Sequence, residues 1–400
     1  MAQDHKENLD PHGIHTRQAT QSIPKIVNFA IAFDVDGVLV RGKEAVPGAK
    51  AALERLDDNN IPYILLTNGG GHTEATHSKM VGCRLGLHID EDQFVQSHTP
   101  FKSFIEQYQG QWVLCLGGEK TKIKELAWAY GFSPNTVLSS SDLVKQTPQI
   151  HPFSEMTLPH HTEHGKIRKS FTPDQKIAAI FVFSSPRDWC LDIQICMDLL
   201  LSEGGQLATR SSLNGDEALP NCGYQQDDQP LLYFCNPDLE WATSYAQARL
   251  AQGGFRAALE GVWNKYTNGK APLQAWTCGK PTETSYLYAE NAIENHRRKL
   301  GPDAHVPDLR TIYMVGDNPM SDIRGANIAN ETSYMTWRSV LVESGVYKAG
   351  TVPEHQPTAI KADVLEAVDW IVQQEMGNGV VGETCGFVRV AGEENGGESH

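Results

Sequence analysis

An apolar stretch that ends in two closely spaced aspartates constrains the fold of this chain more than any other feature. Residues 31–40 read IAFDVDGVLV, in which one residue separates Asp34 from Asp36 and Gly37 follows. This spacing puts both carboxylates on one face of an extended chain, and the glycine allows a sharp turn. The pattern predicts a buried strand of an open α/β sheet, whose carboxyl end binds a ligand. The alternative is a strand end with two solvated turn aspartates.

The rest of the chain alternates strand-like and helix-like segments, which predicts parallel sheets. The first alternation has strands at 27–34 and 61–67 and helices at 47–59 and 73–86. A second alternation has strands at 112–118, 176–184 and 230–236 and helices at 119–131 and 189–203. Because the second set is long enough to form its own sheet, it predicts a separate unit inserted into the first.

The predicted organisation therefore has five parts. They are a disordered arm at 1–25, the first part of the core at 26–98, the inserted unit at 99–268, the second part of the core at 269–375 and a flexible tail at 376–400. The inserted unit contains a polar, histidine-bearing loop at 151–174. Its histidines lack regular ligand spacing, so a solvated, mobile loop is favoured over a metal site.

Polar residues and glycines follow the predicted strand at 61–67. Thr67 offers a hydroxyl group and Asn68 an amide, and Gly69 begins a run of three glycines. Hydroxyl, amide and open backbone N–H groups are donors suited to an oxyanion. The alternative is a flexible glycine turn.

Two later segments carry further candidate groups. Lys280 lies between a glycine and a proline just before a helical stretch, where a lysine can meet a phosphate; by itself it is more often a surface charge. The segment at 311–330 reads TIYMVGDNPMSDIRGANIAN, an apolar strand followed by Asp317 and Asp322. Asp322 alone is also compatible with an ordinary helix-start residue.

The composition excludes several classes of partner. Lys+Arg 34 against Asp+Glu 49 leaves a net charge of −15, which argues against nucleic acid or an anionic membrane as the main partner. No apolar run approaches the roughly 18 residues that span a bilayer. The eight cysteines are scattered without a CxxC pair, which predicts reduced core thiols in an intracellular protein.

Together, the four strand ends resemble in order and spacing the motifs of the haloacid dehalogenase (HAD) superfamily, and the long insert resembles subfamily IIA. The motifs read DVDG, TNG, GKP and GDNPMSD. The resemblance implies an α/β fold, with a Rossmann-like parallel-sheet core and an inserted α/β cap of the C2 type. It also implies a Mg²⁺-dependent phosphomonoesterase with an aspartyl-phosphate intermediate, acting on a small phosphorylated substrate.

The resemblance also assigns roles to residues. It implies Asp34 as the nucleophile and Asp36 as the general acid and base. Thr67, Asn68, Gly69 and Lys280 would hold phosphate oxygens. The Mg²⁺ ligands implied are Asp34, Asp36 through its backbone carbonyl, Asp317 and Asp322. In the cap, Asn236 and Asp238 lie in an NPD sequence that would meet the leaving group, although it is equally compatible with an ordinary turn before a helix.

Other readings of the same residues stay open. The core would also serve as a phosphate- or metal-binding scaffold with negligible turnover. Haloacid dehalogenation is disfavoured because that chemistry lacks the second aspartate and the Mg²⁺ site. The resemblance further implies a mitochondrial protein with a loose link to glycerophospholipid synthesis. The N-terminus is not a clear presequence, so the cytoplasm is the alternative, and a homodimer formed through the cap remains open.

Overall fold

The computed structural model describes residues 27–241, 245, 247–300 and 308–377. The predicted arm at 1–25 and nearly all of the predicted tail at 376–400 lie outside these residues. Within them, the chain forms two parallel sheets flanked by helices, together with two small antiparallel hairpins. The α/β class predicted from the sequence is confirmed.

The strands and helices follow one another along the described chain. The strands are Phe29–Phe33 (β1), Val40–Arg41 (β2), Glu44–Ala45 (β3), Tyr63–Thr67 (β4), Phe94–Gln96 (β5), Trp112–Leu116 (β6), Val137–Leu138 (β7), Ile177–Val182 (β8), Leu231–Phe234 (β9), Glu240–Trp241 (β10), Arg249–Leu250 (β11), Trp276–Thr277 (β12), Thr311–Gly316 (β13), Thr336–Val342 (β14) and Ala359–Lys361 (β15). The helices are Ala49–Asp58 (α1), Glu74–Leu85 (α2), Lys122–Tyr130 (α3), Ser140–Gln146 (α4), Leu158–His164 (α5), Trp189–Leu200 (α6), Gln252–Tyr266 (α7), Glu283–Leu300 (α8), Arg324–Thr332 (α9) and Val364–Met376 (α10).

The core sheet has the strand order β15-β14-β13-β1-β4-β5, with every neighbouring pair parallel. The chain starts in the middle at β1, runs outward through β4 to β5, and later returns through β13 on the other side of β1. The order therefore reverses between β1 and β13. In open α/β sheets, ligands bind at the carboxyl ends of strands beside such a reversal.

The core sheet is buried on both faces because successive side chains of each strand point to opposite sides. Ile31 and Phe33 pack with helices α1 and α10, whereas Ala30 and Ala32 pack with helices α8 and α9 on the other side. All five side chains of β1 are buried. An uninterrupted apolar run is typical of such a doubly covered parallel strand.

The cap sheet, our name for the second parallel sheet, has the order β12-β9-β8-β6-β7. It also has apolar clusters on both faces. Its last strand, β12, pairs with β9 through Trp276 and Thr277. The end of the inserted unit at residue 268 stays a prediction, although the cap sheet continues to β12, a strand too short to be recognised from periodicity.

The polar loop predicted at 151–174 is partly ordered, contrary to expectation. It contains helix α5, and His151 and His161 are buried within it. The prediction failed because the two histidines approach each other only after α5 packs against α4, a contact that residue spacing does not reveal.

Two further expectations concern the membrane and the cysteines. Among the described residues, no helix combines the length and hydropathy required of a membrane span. The cysteines in the same residues form no disulfide, but Cys83 and Cys190 are exposed. The prediction of core thiols therefore applies to only some of them.

A buried carboxyl group in the cap makes stability depend on pH. Burial raises the pKa of Asp192 to about 7, and Ser140 donates a hydrogen bond to it. The folded state therefore holds a proton that the unfolded chain releases at lower pH, so stability falls as pH rises towards 7. We expect the advantage of Asp192→Asn over the parent in free energy of unfolding to grow by about 2 kcal/mol from about pH 5 to about pH 8.

Thermal or urea unfolding of both proteins at the two pH values measures this gain. The exposed Asp228→Asn serves as the control, with no pH-dependent difference expected. An advantage of Asp192→Asn that is equal at both pH values would contradict a buried, protonated Asp192.

Candidate active site

Three buried carboxylates meet at the carboxyl edge of the core sheet. Asp34 follows β1 and Asp317 follows β13, while Asp322 lies in a single π-helical turn at Pro319–Ile323. One ligand oxygen of each carboxylate lies within 4.8 Å of the others. Because β1 and β13 are neighbours in the sheet, their ends bring Asp34 and Asp317 together across a long sequence separation.

Lys280 ties two of these carboxylates together. Its Nζ donates a hydrogen bond of 2.6 Å to Asp34 Oδ1 and lies 2.7 Å from Asp322 Oδ1. The side chain is only 2% exposed. The surface-charge reading of Lys280 is therefore wrong: the lysine is an internal counter-charge.

Burial and the close approach of like and opposite charges shift the pKa values of the residues in this site. Burial, together with the neighbouring carboxylates of Asp322 and Asp317, raises the pKa of Asp34 despite the opposing effect of Lys280. Burial and Asp322 raise the pKa of Asp317 to about 7. Burial disfavours the charged form of Lys280, but Asp322 and Asp34 outweigh it and hold the pKa of Lys280 above its usual value.

These residues fit a divalent cation of the hard, oxygen-binding kind. Three carboxylates face a single lysine, which leaves negative charge uncompensated in a buried site. Asp322 Oδ1 is buried and lies 2.7 Å from Lys280 Nζ, which also has to balance the charge of Asp34. Mg²⁺ is bound in proteins by such carboxylate oxygens. The Asp36 side chain is not a member of this group.

Asp317 is held by a loop that the sequence analysis did not single out. The backbone N–H of Val346 donates a 2.7 Å hydrogen bond to Asp317 Oδ2. A Cβ atom added at Gly345 would lie 1.7 Å from the same oxygen. Only glycine fits at this position. A single glycine in the polar loop after β14 is the one feature of the sequence that could have pointed to this contact.

Gly345→Ala is expected to displace the Asp317 carboxylate and weaken Mg²⁺ binding by roughly 10-fold or more. The backbone conformation of Gly345 is not restricted to glycine, so the effect comes from the clash alone. Calorimetric titration with Mg²⁺ measures it. Gly261→Ala is the matched control because its added methyl group meets open space. Unchanged affinity in Gly345→Ala would mean that Asp317 is not a ligand.

At the carboxyl end of β4, Thr67 has a hydroxyl proton free for a ligand, whereas Asn68 is bonded within the protein. Thr67 Oγ1 accepts a hydrogen bond of 2.9 Å from Gly69 N, which leaves the hydroxyl proton available to an incoming oxygen. The Asn68 amide is instead engaged within the protein. Its Oδ1 accepts from Lys280 N at 2.7 Å, and its Nδ2 donates to Lys280 O at 2.8 Å. These two hydrogen bonds hold the backbone of Lys280 in place.

Asp36 lies at the mouth of the site and is exposed to the cleft. The surrounding protein partly excludes water from the Asp36 carboxyl group and so raises its pKa. The charges of His77, Arg84 and Lys280 oppose this effect. A turn with Gly37 at φ +90° follows and leads into the β2–β3 hairpin. Gly42 lies between the two strands of this hairpin.

The NPD sequence of the cap contacts the core directly. Asn236 Nδ2 donates a 2.9 Å hydrogen bond to Asn68 O, and Asn68 Nδ2 donates a 3.0 Å bond to Asp238 Oδ2. Burial raises the pKa of Asp238 to about 6. The turn is positioned by Gln252, whose Oε1 accepts from Asn236 N at 2.9 Å. Gln252 was missed because nothing in its local sequence marks it.

A buried hydrogen-bond chain also joins the glycine loop to the cap. Gly71 N donates to His98 Nε2 at 3.0 Å, and His98 Nδ1 lies 2.6 Å from the hydroxyl oxygen of Tyr130. Tyr130 in turn donates to Glu74 Oε1 at 2.7 Å. Burial lowers the pKa of His98, so the ring is neutral at physiological pH. The sequence analysis did not find these residues.

Two family models match the chain. One, described as haloacid dehalogenase-like hydrolase, matches residues 31–133, and the other, described as HAD-hydrolase-like, matches residues 277–367. Together they contain the aspartates, the threonine and the lysine of the site. The unmatched segment between them corresponds to most of the cap.

Known proteins are similar over most of the chain. A mitochondrial hydrolase of Saccharomyces cerevisiae is 36% identical over 356 residues, which cover 85% of this chain and 94% of the yeast protein. A cardiolipin synthase (CMP-forming)/mitochondrial hydrolase fusion protein of Schizosaccharomyces pombe is 34% identical over 377 residues, but the match covers only 58% of it. The structure of p-nitrophenyl phosphatase from Archaeoglobus fulgidus shares the fold, with a TM-score of 0.53, 14% identity and coverage of 87% of this chain and 100% of that one.

Proposed function

Because the chain belongs to the haloacid dehalogenase-like hydrolase family, we propose that it is a Mg²⁺-dependent phosphomonoesterase that hydrolyses a small phosphorylated metabolite. The observation that carries the proposal is the buried contact of Lys280 with both Asp34 and Asp322 at the switch point of the core sheet. This contact brings the proposed nucleophile Asp34, the ammonium group of Lys280 and the proposed metal ligand Asp322 together in one site.

In the first step, a carboxylate oxygen of Asp34 attacks phosphorus and the bond from phosphorus to the ester oxygen breaks. The product is an aspartyl phosphate, and the leaving group departs as an alcohol. In the second step, water attacks phosphorus, releases inorganic phosphate and restores Asp34. Covalent catalysis of this kind replaces one difficult displacement with two easier ones.

Asp36 supplies and recovers the proton. The raised pKa of Asp36 favours the protonated carboxyl group that must donate to the leaving alkoxide. The resulting carboxylate then accepts a proton from the attacking water. Its exposure to the cleft, on the same face of the chain as Asp34, is suited to both transfers.

The remaining residues bind and orient the phosphoryl group. Asp34, Asp317 and Asp322 would hold Mg²⁺, with the Asp36 carbonyl as a further ligand; the bound ion neutralises phosphate charge during transfer. Thr67 and Lys280 bind non-bridging oxygens, and the Gly69 N–H orients the Thr67 hydroxyl group. Asn68 is assigned to positioning Lys280 instead, because its amide oxygen and nitrogen both bond to that backbone.

A panel of phosphorylated metabolites, assayed with purified protein and Mg²⁺, tests the proposal. Release of inorganic phosphate from at least one ester, well above that of an Asp34→Asn protein, is expected. The competing candidate is a scaffold that binds phosphate and metal without turnover. Phosphate binding with no turnover of any ester would favour the scaffold.

The cap turn is proposed to read the leaving group. Asn236→Ala and Asp238→Ala are expected to change relative rates among natural esters by about 10-fold, with little effect on p-nitrophenyl phosphate. Rates on a set of esters measure this effect, with the exposed Asp58→Ala as control. Equal losses on every ester, together with a lower melting temperature, would make the turn structural only.

The relatives also bear on cellular context. Both are named as mitochondrial hydrolases, and one is fused to a cardiolipin synthase. On that basis we assign the protein to mitochondria and to glycerophospholipid metabolism. Fractionation with a tagged chain tests the compartment, with the cytoplasm as the alternative outcome. Whether the protein forms a homodimer through the cap is tested by light scattering.

A further inference from the structure

A second group of potential metal ligands lies in the cap, outside the site described above. His151, His161 and Asp188 each offer one ligand atom, and these atoms all lie within 4.8 Å of one another. The Nε2 atom of each histidine is 3.4 Å from Asp188 Oδ2. Both histidines are buried, at 4% and 5% exposure. Two buried imidazoles thus approach a single carboxylate oxygen, and His151 Nε2 also lies 2.7 Å from Thr157 Oγ1.

The carboxylate is already oriented for this role. Asp188 precedes helix α6, and its Oδ1 accepts a 3.0 Å hydrogen bond from Leu191 N. This bond caps the helix and holds the carboxylate plane. The other oxygen, Oδ2, is the one directed at the two imidazoles. The Asp188 side chain therefore caps helix α6 with Oδ1 and directs Oδ2 at the two histidines.

The His161 ring has a neighbouring acceptor for its second nitrogen. Its Nδ1 lies 2.9 Å from Ser141 Oγ, and this hydroxyl can accept a proton carried on Nδ1 when Nε2 binds a metal. Metal-binding histidines usually donate their second N–H to a neighbouring acceptor in this way.

We propose that His151, His161 and Asp188 form a Zn²⁺ site in the cap. Zn²⁺ prefers imidazole nitrogen and carboxylate oxygen, at about 2.0–2.2 Å, in tetrahedral geometry. Neighbouring ligand atoms of such a site are about 3.4 Å apart, which matches both histidine-to-aspartate separations. Mg²⁺ prefers oxygen donors, so the two sites of this chain select different ions.

The position in the fold leaves room for a fourth ligand. Strand β6 pairs with β7 on one side and with β8 on the other, so the cap sheet reverses its order there. At the carboxyl ends of these strands lies a cavity of about 330 Å³, lined among others by Ser140, Thr157, His161, Asp188 and Asp192. Such a reversal is where α/β sheets bind ligands. Because His161 and Asp188 line this cavity, a water molecule or an anion within it would complete the coordination of the Zn²⁺.

Zinc binding by the full chain tests the proposal. The protein is stripped with a chelator and titrated with Zn²⁺ against a chromophoric competitor, in excess Mg²⁺ to occupy the core carboxylates. His161→Ala removes one ligand, and Asp188→Asn removes the charge while keeping an oxygen for the helix cap. His88→Ala is the matched control, because His88 also lies 3.0 Å from an aspartate but on the surface.

We expect the parent and His88→Ala to bind Zn²⁺ equally, and both ligand variants to bind it at least about 10-fold more weakly. Co²⁺ in place of Zn²⁺ is expected to show tetrahedral visible bands that the ligand variants lose. Parent-like zinc affinity in a folded Asp188→Asn and His161→Ala would overturn the site. So would a parent protein that retains no zinc in excess Mg²⁺.

Discussion

Asp34→Asn lowers turnover of every phosphate ester by roughly 10⁴-fold or more, because the substitution removes the attacking charge and leaves its shape. Lys280 donates a 2.6 Å hydrogen bond to this carboxylate, and an amide oxygen at the same position also accepts it. The fold is therefore expected to survive. Steady-state rates and melting temperatures of the two proteins measure both effects.

Trapping the intermediate makes the same test more specific. A rapid acid quench of the parent with labelled ester is expected to leave phosphate covalently bound and removable by hydroxylamine, as for an acyl phosphate. Asp34→Asn is expected to carry none. The exposed Asp58→Asn is the control and should behave as the parent does. Turnover by Asp34→Asn comparable to that of the parent would exclude the covalent mechanism.

Removal of the divalent ion abolishes turnover, and Asp317→Asn weakens Mg²⁺ binding by about 100-fold. Three buried carboxylates share one lysine, so a phosphoryl group that enters without the cation meets net negative charge. Activity in excess chelator, its return on addition of Mg²⁺, and the Mg²⁺ concentration at half-maximal rate measure these effects.

The control separates metal loss from misfolding. Asp317→Asn keeps the side-chain volume, and one amide oxygen remains to accept the hydrogen bond from Val346 N. Its circular dichroism should match that of the parent. Partial recovery of rate at high Mg²⁺ would indicate weakened affinity, as expected. Full hydrolysis of p-nitrophenyl phosphate in excess chelator would refute the metal assignment.

Local sequence patterns predicted the frame of the core well. The runs that became β1, β4 and β13 are largely apolar, as is typical of strands covered on both faces. Each is followed at once by polar or acidic residues and glycine. Strand ends on one edge of a parallel sheet are neighbours, so the order of motifs was enough to expect that Asp34, Thr67 and Asp317 gather there.

The cap was predicted less completely. Its longer strands β6, β8 and β9 carry enough apolar residues to be recognised, but β12 has only two residues. The irregular spacing of the histidines along the sequence predicts a mobile loop rather than a metal site. Burial of His151 and His161 depends on the packing of α5 against α4, which no local period encodes.

The sequence by itself determined the α/β class, the four strand ends and the residue types at each, because hydrophobic periodicity and turn chemistry are local properties. Only the tertiary structure decided which of those polar atoms meet. It turned the Asn68 amide towards Lys280 and Asp238, set Gly345 against Asp317, and brought His151 and His161 to Asp188. These contacts join residues far apart in the chain, and their partners are selected by packing between elements rather than by any pattern within one.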